Sequence, residues 1–144
     1  MQLLDINVAL AIHRGDHALH VVAARWFEQL LDEQRDFTVP SIVWTALLRL
    51  ATNRRVFPVT SPRREVLGFI EAIRAQPRHV ALEPGERHLA LVRRACDEAD
   101  ATANLVPDAV IAAVAMEHHL EVVTFDRDFT RFPSVRHTLL RAES

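Results

Sequence analysis

Residues 120–132, LEVVTFDRDFTRF, combine a predicted strand with an acidic turn. Val122, Val123 and Phe125 are apolar residues with high β propensity, so the run predicts a buried strand. The strand ends abruptly at Asp126, and Asp128 follows two residues later. Packing does not require carboxylates at the end of a buried strand, so the two acids indicate a functional site.

Short apolar runs alternate with helical patterns along the rest of the chain. Strands are predicted at residues 2–5 (followed by a polar turn at 5–7), 37–39, 79–82, 121–125 and, at a sheet edge, 137–140. Helices are predicted at residues 16–34, 42–52, 61–75, 84–99 and 107–119. This alternation predicts one α/β domain over residues 1–144, with a central parallel β-sheet of four to five short strands and helices on both faces.

The composition is that of a globular protein, with 144 residues, 49% hydrophobic residues and a net charge of −2. No apolar run is long enough to span a membrane, and a single cysteine, Cys96, excludes an intrachain disulfide. Both features favour a cytoplasmic protein. All 17 basic residues are arginine, and residues 37–64 contain five of them and no acid. Because the arginine fork suits phosphate, this segment indicates either nucleic-acid contact or an ordinary solvated surface.

Three acids are predicted to meet at one edge of the sheet. Asp5 ends the first strand, Asp126 ends the strand near the C-terminus, and Asp108 lies in the first turn of the helix after Pro107. Ligands of open parallel sheets bind where the strands end. Taken singly, each acid is also a common turn former or helix-dipole partner. Together they would repel one another unless a cation such as Mg²⁺ or Mn²⁺ were bound, which predicts metal-dependent phosphodiester hydrolysis.

Other candidate residues have simpler structural explanations. The spacing of His13, His17 and His20 could suit zinc, but a loop and the start of an amphipathic helix, without a nearby cysteine, explain it better. Trp26 and Trp44 lie at helical spacing, which favours packing in the core or in a dimer. No phosphate-binding loop, dinucleotide fingerprint or serine nucleophile elbow is present.

Two long motifs resemble a known family. LLDINVAL at residues 3–10 and VPDAVIAAVAMEHHLEVVTFDRDFTRFP at 106–133 resemble the two ends of PIN-domain ribonucleases, and more closely the VapC toxins of toxin–antitoxin operons. The resemblance covers nearly the whole chain. It implies a PIN-like fold and a four-acid site for Mg²⁺ or Mn²⁺ that cleaves single-stranded or loop RNA, often tRNA or rRNA. It also implies toxin homodimers, a cognate VapB antitoxin, and contact with operator DNA only through that antitoxin.

The resemblance assigns roles to individual residues. It places the catalytic metal ligands on Asp5, Asp108 and Asp126, and a last acid, nearer the rim, on Asp128. Asn7 matches the residue that braces the first turn.

Further residues complete this expected site. Thr124 matches the hydroxyl residue that lines it, and strand alternation puts Thr124 on the same face as Asp126. For RNA binding, Arg54, Arg55 and Arg131 are candidates for holding phosphates.

One position departs from the family pattern. The second acid of the family is usually a Glu in a Glu-Leu-Leu-Arg pattern, and that register falls here on Ala46 in WTALLR. Three outcomes are open: water fills the position, Asp100 or Glu98 compensates, or metal affinity is weakened. We expect an active enzyme with an altered site. The alternative is a catalytically weakened module that binds RNA or antitoxin and acts in operon autoregulation.

Overall fold

The structure is a computed structural model that describes residues 1–142, and its centre is a four-stranded sheet. The strands are β1 (Gln2–Leu4), β2 (Phe37–Thr38), β3 (Glu121–Thr124) and β4 (His137–Leu139), in the order β2-β1-β3-β4. All neighbouring strands run parallel, and Leu3 pairs with both Thr38 and Val122. The predicted α/β fold with a parallel sheet is therefore confirmed, as is the edge position of the last strand.

Helices cover both faces of this sheet. Successive residues of a strand point to opposite faces, and Leu3, Leu4, Val122 and Val123 are all at most 1% exposed. The helices are α1 (Ile6–His13), α2 (His20–Asp32), α3 (Ser41–Ala51), α4 (Arg63–Arg74), α5 (His88–Ala99) and α6 (Val106–His118). Helix α1 packs against α2 and α3, α3 packs against α4, and α5 packs against α6. Trp44 is buried in the hydrophobic core, and the partly buried Trp26 packs against this core.

The polar turn expected after the first strand is replaced by a helix. Helix α1 begins at Ile6, and Asp5 is its N-cap because Asp5 Oδ1 accepts a hydrogen bond from the Ile6 N–H at 2.7 Å. An aspartate before an apolar run is a common helix start. The short helix escaped prediction because it is buried and apolar on nearly every side, so it lacks an amphipathic period. Helix α2 accordingly begins at His20 rather than near residue 16.

The prediction of a strand at residues 79–82 is also wrong. A single parallel bridge joins His79 to Phe37, with Val80 N–H donating to the Phe37 carbonyl at 2.8 Å. The neighbouring strand β2 ends after Thr38, and Pro40 soon follows without an N–H to donate. Since proline cannot continue a hydrogen-bonded ladder, the pairing stops after one bridge.

A buried arginine ties the arginine-bearing segment after α3 to α1. Arg14, only 8% exposed, donates hydrogen bonds to Ser61 Oγ at 3.0 Å and to the Val59 carbonyl at 2.8 Å. Its guanidinium also pairs with Asp16 at 2.6 Å and lies 4.2 Å from the centre of the Phe57 ring. These contacts fix residues 53–61, which carry Arg54 and Arg55, against the end of α1. Within residues 1–142, every helix is too short or too polar to cross a bilayer.

Candidate metal centre

The two central strands deliver their acids to the same edge of the sheet. Asp5 directly follows β1, and its N–H donates to the Val123 carbonyl of β3 at 2.9 Å. Asp126 lies two residues beyond the end of β3. Asp108 is in the first turn of α6, where the positive end of the helix dipole favours a carboxylate. Three separate segments of the chain therefore meet at the position that the sequence predicted.

Three carboxylates form a compact group there. Oxygen atoms of Asp108, Asp126 and Asp128 lie within 4.8 Å of one another. Asp126 and Asp128 are fixed by a tight turn, in which the Asp128 N–H donates to Asp126 Oδ1 at 2.8 Å. Asp108 and Asp126 are half-buried, whereas Asp128 is exposed. We name this group of three the acidic cluster.

Asp5 lies behind the acidic cluster and is only 3% exposed. Each of its oxygens accepts one hydrogen bond, Oδ1 from the Ile6 N–H and Oδ2 from Thr124 Oγ1, both at 2.7 Å. Burial raises the pKa of Asp5, the two hydrogen bonds oppose that rise, and the charge of Asp126 adds to it. Each carboxylate oxygen keeps a second lone pair, so Asp5 can still contribute to a cation site.

The pKa of Asp108 is strongly raised by its surroundings. Burial, followed by the negative charges of Asp5, Asp126 and Asp128, raises the pKa of Asp108 to about 7. At neutral pH this carboxyl is therefore protonated in about half of the molecules, and a bound cation would replace that proton. Closely spaced carboxylate oxygens are the donor set that hard divalent cations prefer. The acidic cluster thus fits Mg²⁺ or Mn²⁺ in charge and donor chemistry.

Thr124 and Asn7 connect these acids. The fully buried Thr124 Oγ1 donates to Asp5, accepts from the Asp126 N–H at 2.9 Å and accepts from Asn7 Nδ2 at 3.3 Å. Asn7 Oδ1 accepts from the Phe125 N–H at 3.2 Å. Both side chains were expected to support the site, and both lie in its hydrogen-bond network.

Ala46 lies beside the site, as the sequence register implied. It lines a cavity of about 360 Å³ together with Ile6 and Pro107, the direct neighbours of Asp5 and Asp108. Arg49 lines the same cavity, and sequence reasoning had not selected it for the site. The signal was available, because residues three apart on a helix share a face.

No acid replaces the missing carboxylate among the described residues. Glu98 bonds Ser134 and pairs with Arg94 at 3.5 Å, so it is held elsewhere. Asp100 is an exposed residue in the left-handed conformation at the end of α5, and it is not a member of the acidic cluster. Neither of the two compensating candidates from the sequence joins the group.

The arginines selected for RNA binding are placed differently from one another. Arg54 and Arg55 are exposed in the segment after α3. Arg131 is also exposed, but its Nη2 donates to the Ala99 carbonyl at 2.7 Å and so supports the end of α5.

The three histidines considered for zinc bind separate partners. His13 contacts Ser61 Oγ, His17 accepts from the Leu19 N–H, and His20 contacts the Ala11 carbonyl. Within residues 1–142 these histidines do not form a metal-binding group.

The Thr124 hydroxyl provides a direct test of this network. Thr124→Val keeps the side-chain shape but leaves Asp5 Oδ2 and the Asp126 N–H without their partner. We expect the free energy of unfolding to fall by about 1–3 kcal/mol, measured by urea denaturation. Thr124→Ser, which keeps the hydroxyl, is the matched control and should lose less than the valine variant. Equal stability of the valine variant and the wild type would contradict this role.

Comparisons with known proteins agree with the fold. The PIN domain family model matches residues 3–135. Ribonuclease VapC31 of Mycobacterium tuberculosis is 58% identical over 137 residues, which cover 95% of this chain and 96% of the relative. Ribonuclease VapC25 of the same organism is 56% identical with the same coverage.

Solved structures with low sequence identity share the fold. VapBC2 from Rickettsia felis, bound to a promoter DNA fragment, has a TM-score of 0.72 at 14% identity and covers 97% of this chain and 98% of its own. Mycobacterium tuberculosis VapC20, described as a sarcin-ricin loop cleaving toxin, has a TM-score of 0.63 at 17% identity, covering 90% and 93%. The family model and the identity to the M. tuberculosis relatives together place this chain in the PIN-domain family, as a VapC ribonuclease.

Proposed function

We propose that this protein is a metal-dependent endoribonuclease toxin of the VapC type that hydrolyses phosphodiester bonds in single-stranded or loop regions of RNA. The observation that supports this most strongly is the convergence of Asp108, Asp126 and Asp128 in front of Asp5. The whole chain would act as one domain in the cytoplasm, with tRNA or rRNA as the class of substrate.

In this proposal the acidic cluster holds Mg²⁺, or alternatively Mn²⁺, and Asp5 completes the site from behind. When bound, the cation would neutralise the carboxylates, polarise the scissile phosphate and lower the pKa of a water. Thr124 would keep Asp5 oriented through their 2.7 Å hydrogen bond. Asn7 would hold the backbone after β3, and through it Asp126, in register with α1.

Loss of the usual second acid is compatible with activity. Magnesium commonly keeps several water ligands and needs few carboxylates from the protein. The cavity beside Ala46 leaves space for a water or a substrate phosphate at that position. Arg49, which lines the same cavity, would add a positive charge that suits a phosphate.

A second candidate function is a catalytically weakened module that binds RNA or its antitoxin and acts in operon autoregulation. Ala46 and the lack of a replacing acid among residues 1–142 favour it. The Ala46→Glu variant separates the two proposals. Nuclease activity that appears only in this variant would favour the weakened module, whereas clear cleavage by the wild type would eliminate it.

The proposed partners follow from the relatives. Several solved structures of the same fold are VapBC complexes, and those from R. felis and Salmonella typhimurium are bound to DNA. We expect a VapB-type antitoxin to inhibit this protein and to provide any contact with operator DNA. An antitoxin arginine placed against the acidic cluster would compete with the cation by charge. We further expect a homodimer.

Carboxylate substitutions test the site assignment. Asp108→Asn and Asp126→Asn should each reduce Mg²⁺-dependent cleavage of total RNA by about a hundredfold or more, because each removes a charge from the cation site. Asp32→Asn on α2 is the control, and Asp100→Asn should behave like it, since Asp100 lies outside the acidic cluster. Cleavage is followed by gel electrophoresis with and without EDTA. Undiminished cleavage by Asp108→Asn would refute the assignment.

The raised pKa of Asp108 predicts a pH-dependent stability of the metal-free protein. The folded state holds this proton more tightly than the unfolded chain, so the contribution of Asp108 to the free energy of unfolding should fall as pH rises from about 4 to the folded pKa of about 7. Asp108→Asn should therefore be more stable than the wild type at pH 8, by about 1–2 kcal/mol after allowance for solvent screening, and similar near pH 4.

Denaturant titrations in EDTA at both pH values measure this difference. Added Mg²⁺ should stabilise the wild type more at pH 8 than at pH 5, because the cation competes with the proton. A stability difference between Asp108→Asn and the wild type that does not change with pH over this range would contradict the electrostatic account.

A further inference from the structure

A second concave site lies at the other end of α6, and its charge is opposite to that of the acidic cluster. A pocket of about 320 Å³ is lined by Arg87, Arg94, Arg136 and His119, and none of its lining residues is acidic. His119 follows the last residue of α6, and Arg136 directly precedes β4. We name this cavity the basic pocket. It opens at the amino ends of the strands, whereas the acids lie at the carboxyl ends.

Two of these arginines are available for a ligand. Within residues 1–142 the guanidinium groups of Arg87 and Arg136 make no hydrogen bond or ion pair, and both residues are exposed. Arg94 is oriented by a 2.9 Å hydrogen bond to Ser134 Oγ and by Glu98 at 3.5 Å. One guanidinium is therefore fixed, and two more can turn towards an anion.

The nearby acids are engaged with other groups. Glu117 accepts from the backbone N–H groups of Gly85 and Arg87 at 2.8 and 3.2 Å. Glu121, within electrostatic range of Arg136, accepts from Gln2 at 2.7 Å and from Thr138 at 2.9 Å. These carboxylates reduce the local positive field but do not block the pocket.

The floor of the basic pocket is apolar. Leu91 and Leu120 are at most 5% exposed, and the half-buried Met116 of α6 also lines the pocket. An apolar floor within a ring of arginines matches a nucleotide, whose base needs a flat apolar contact and whose phosphate needs guanidinium forks. The volume lies at the lower end of the range for small-ligand pockets, which suits one nucleotide rather than a longer segment.

We propose that the basic pocket binds one nucleotide of the RNA substrate, with its phosphate on Arg87 and Arg136 and its base on the Leu91–Met116–Leu120 floor. The proposal rests on the RNA-cleaving function proposed above. The rise of α6 between Asp108 and His119 is about 16 Å. A fully stacked strand, at about 3.4 Å per phosphate, needs about five nucleotides to cover this distance, and an extended strand needs fewer.

This separation gives a length-dependent test. Arg87→Gln/Arg136→Gln removes the two available guanidinium groups and can be compared with Arg74→Gln/Arg93→Gln, which removes two exposed arginines outside the pocket. Binding of a mixed-sequence RNA of about 20 nucleotides is measured by fluorescence anisotropy in EDTA over a range of salt. The pocket variant should bind about tenfold or more weakly, and the slope of log affinity against log salt should fall by about 1. The control pair should change both quantities less.

Further arms separate the possible sources of the nucleotide and the two proposals. Cleavage with Mg²⁺ of an RNA of about two nucleotides, which is too short to reach both sites even when extended, should be equal in wild type and pocket variant. If the wild type cleaves no RNA, the proposed function fails. The RNA-binding measurement in EDTA still tests the basic pocket in that case, because it does not depend on cleavage. Titration with adenosine 5′-monophosphate should show weak binding that the pocket variant loses.

The outcomes that overturn the inference are equally defined. If the pocket variant and the control variant lost RNA binding equally, the RNA would be attracted by the positive charge of the whole surface and would not occupy the basic pocket. Loss of nucleotide binding with unchanged binding of the longer RNA would reject the RNA strand as the source. If the pocket variant bound both the longer RNA and adenosine 5′-monophosphate like the wild type, a nucleotide would be rejected as the ligand, and an acidic protein partner would be the remaining candidate. Circular dichroism melting confirms that each variant is folded.

Discussion

Repulsion among the carboxylates at one edge of the sheet is the constraint on which the rest of this structure depends. Asp5, Asp108 and Asp126 come from three segments, and the fold compensates each of them differently. The first turn of α1 and the Thr124 hydroxyl stabilise Asp5. The N-terminal end of α6 and a proton compensate Asp108. Without a cation these devices only partly offset the repulsion, so the group of carboxylates is suited to bind a cation.

Much of the fold could be predicted from the spacing of apolar residues along the chain and from the residues at which each apolar run ends. The strand before Asp126, the edge strand and the five amphipathic or Pro-started helices were predictable because burial imposes a repeat on their sequence. Helix α1 was not, since six of its eight residues are apolar and show no clear period. The strand at residues 79–82 failed for another reason: its partner was too short to extend the ladder beyond Phe37.

The site was predictable in part for the same physical reasons. Parallel strands place their ends together, so the meeting of Asp5 with Asp126 required only the strand order. The supporting positions of Asn7 and Thr124 were expected from the family resemblance. The basic pocket was not anticipated, because its residues come from the start and middle of α5, the end of α6 and the approach to β4. Sequence spacing cannot show that these segments surround one cavity.

The double role of Asp5 affects how this enzyme could be inactivated. The same carboxylate caps α1 and faces the other acids, so a substitution there that cannot accept the Ile6 hydrogen bond threatens the helix that also anchors residues 53–61 through Arg14. A change at the exposed Asp128 leaves that scaffold intact. In a cell under selection to escape this nuclease, the first kind of mutation would remove the folded protein along with its activity. The second would leave a folded protein in which only the acidic cluster is altered.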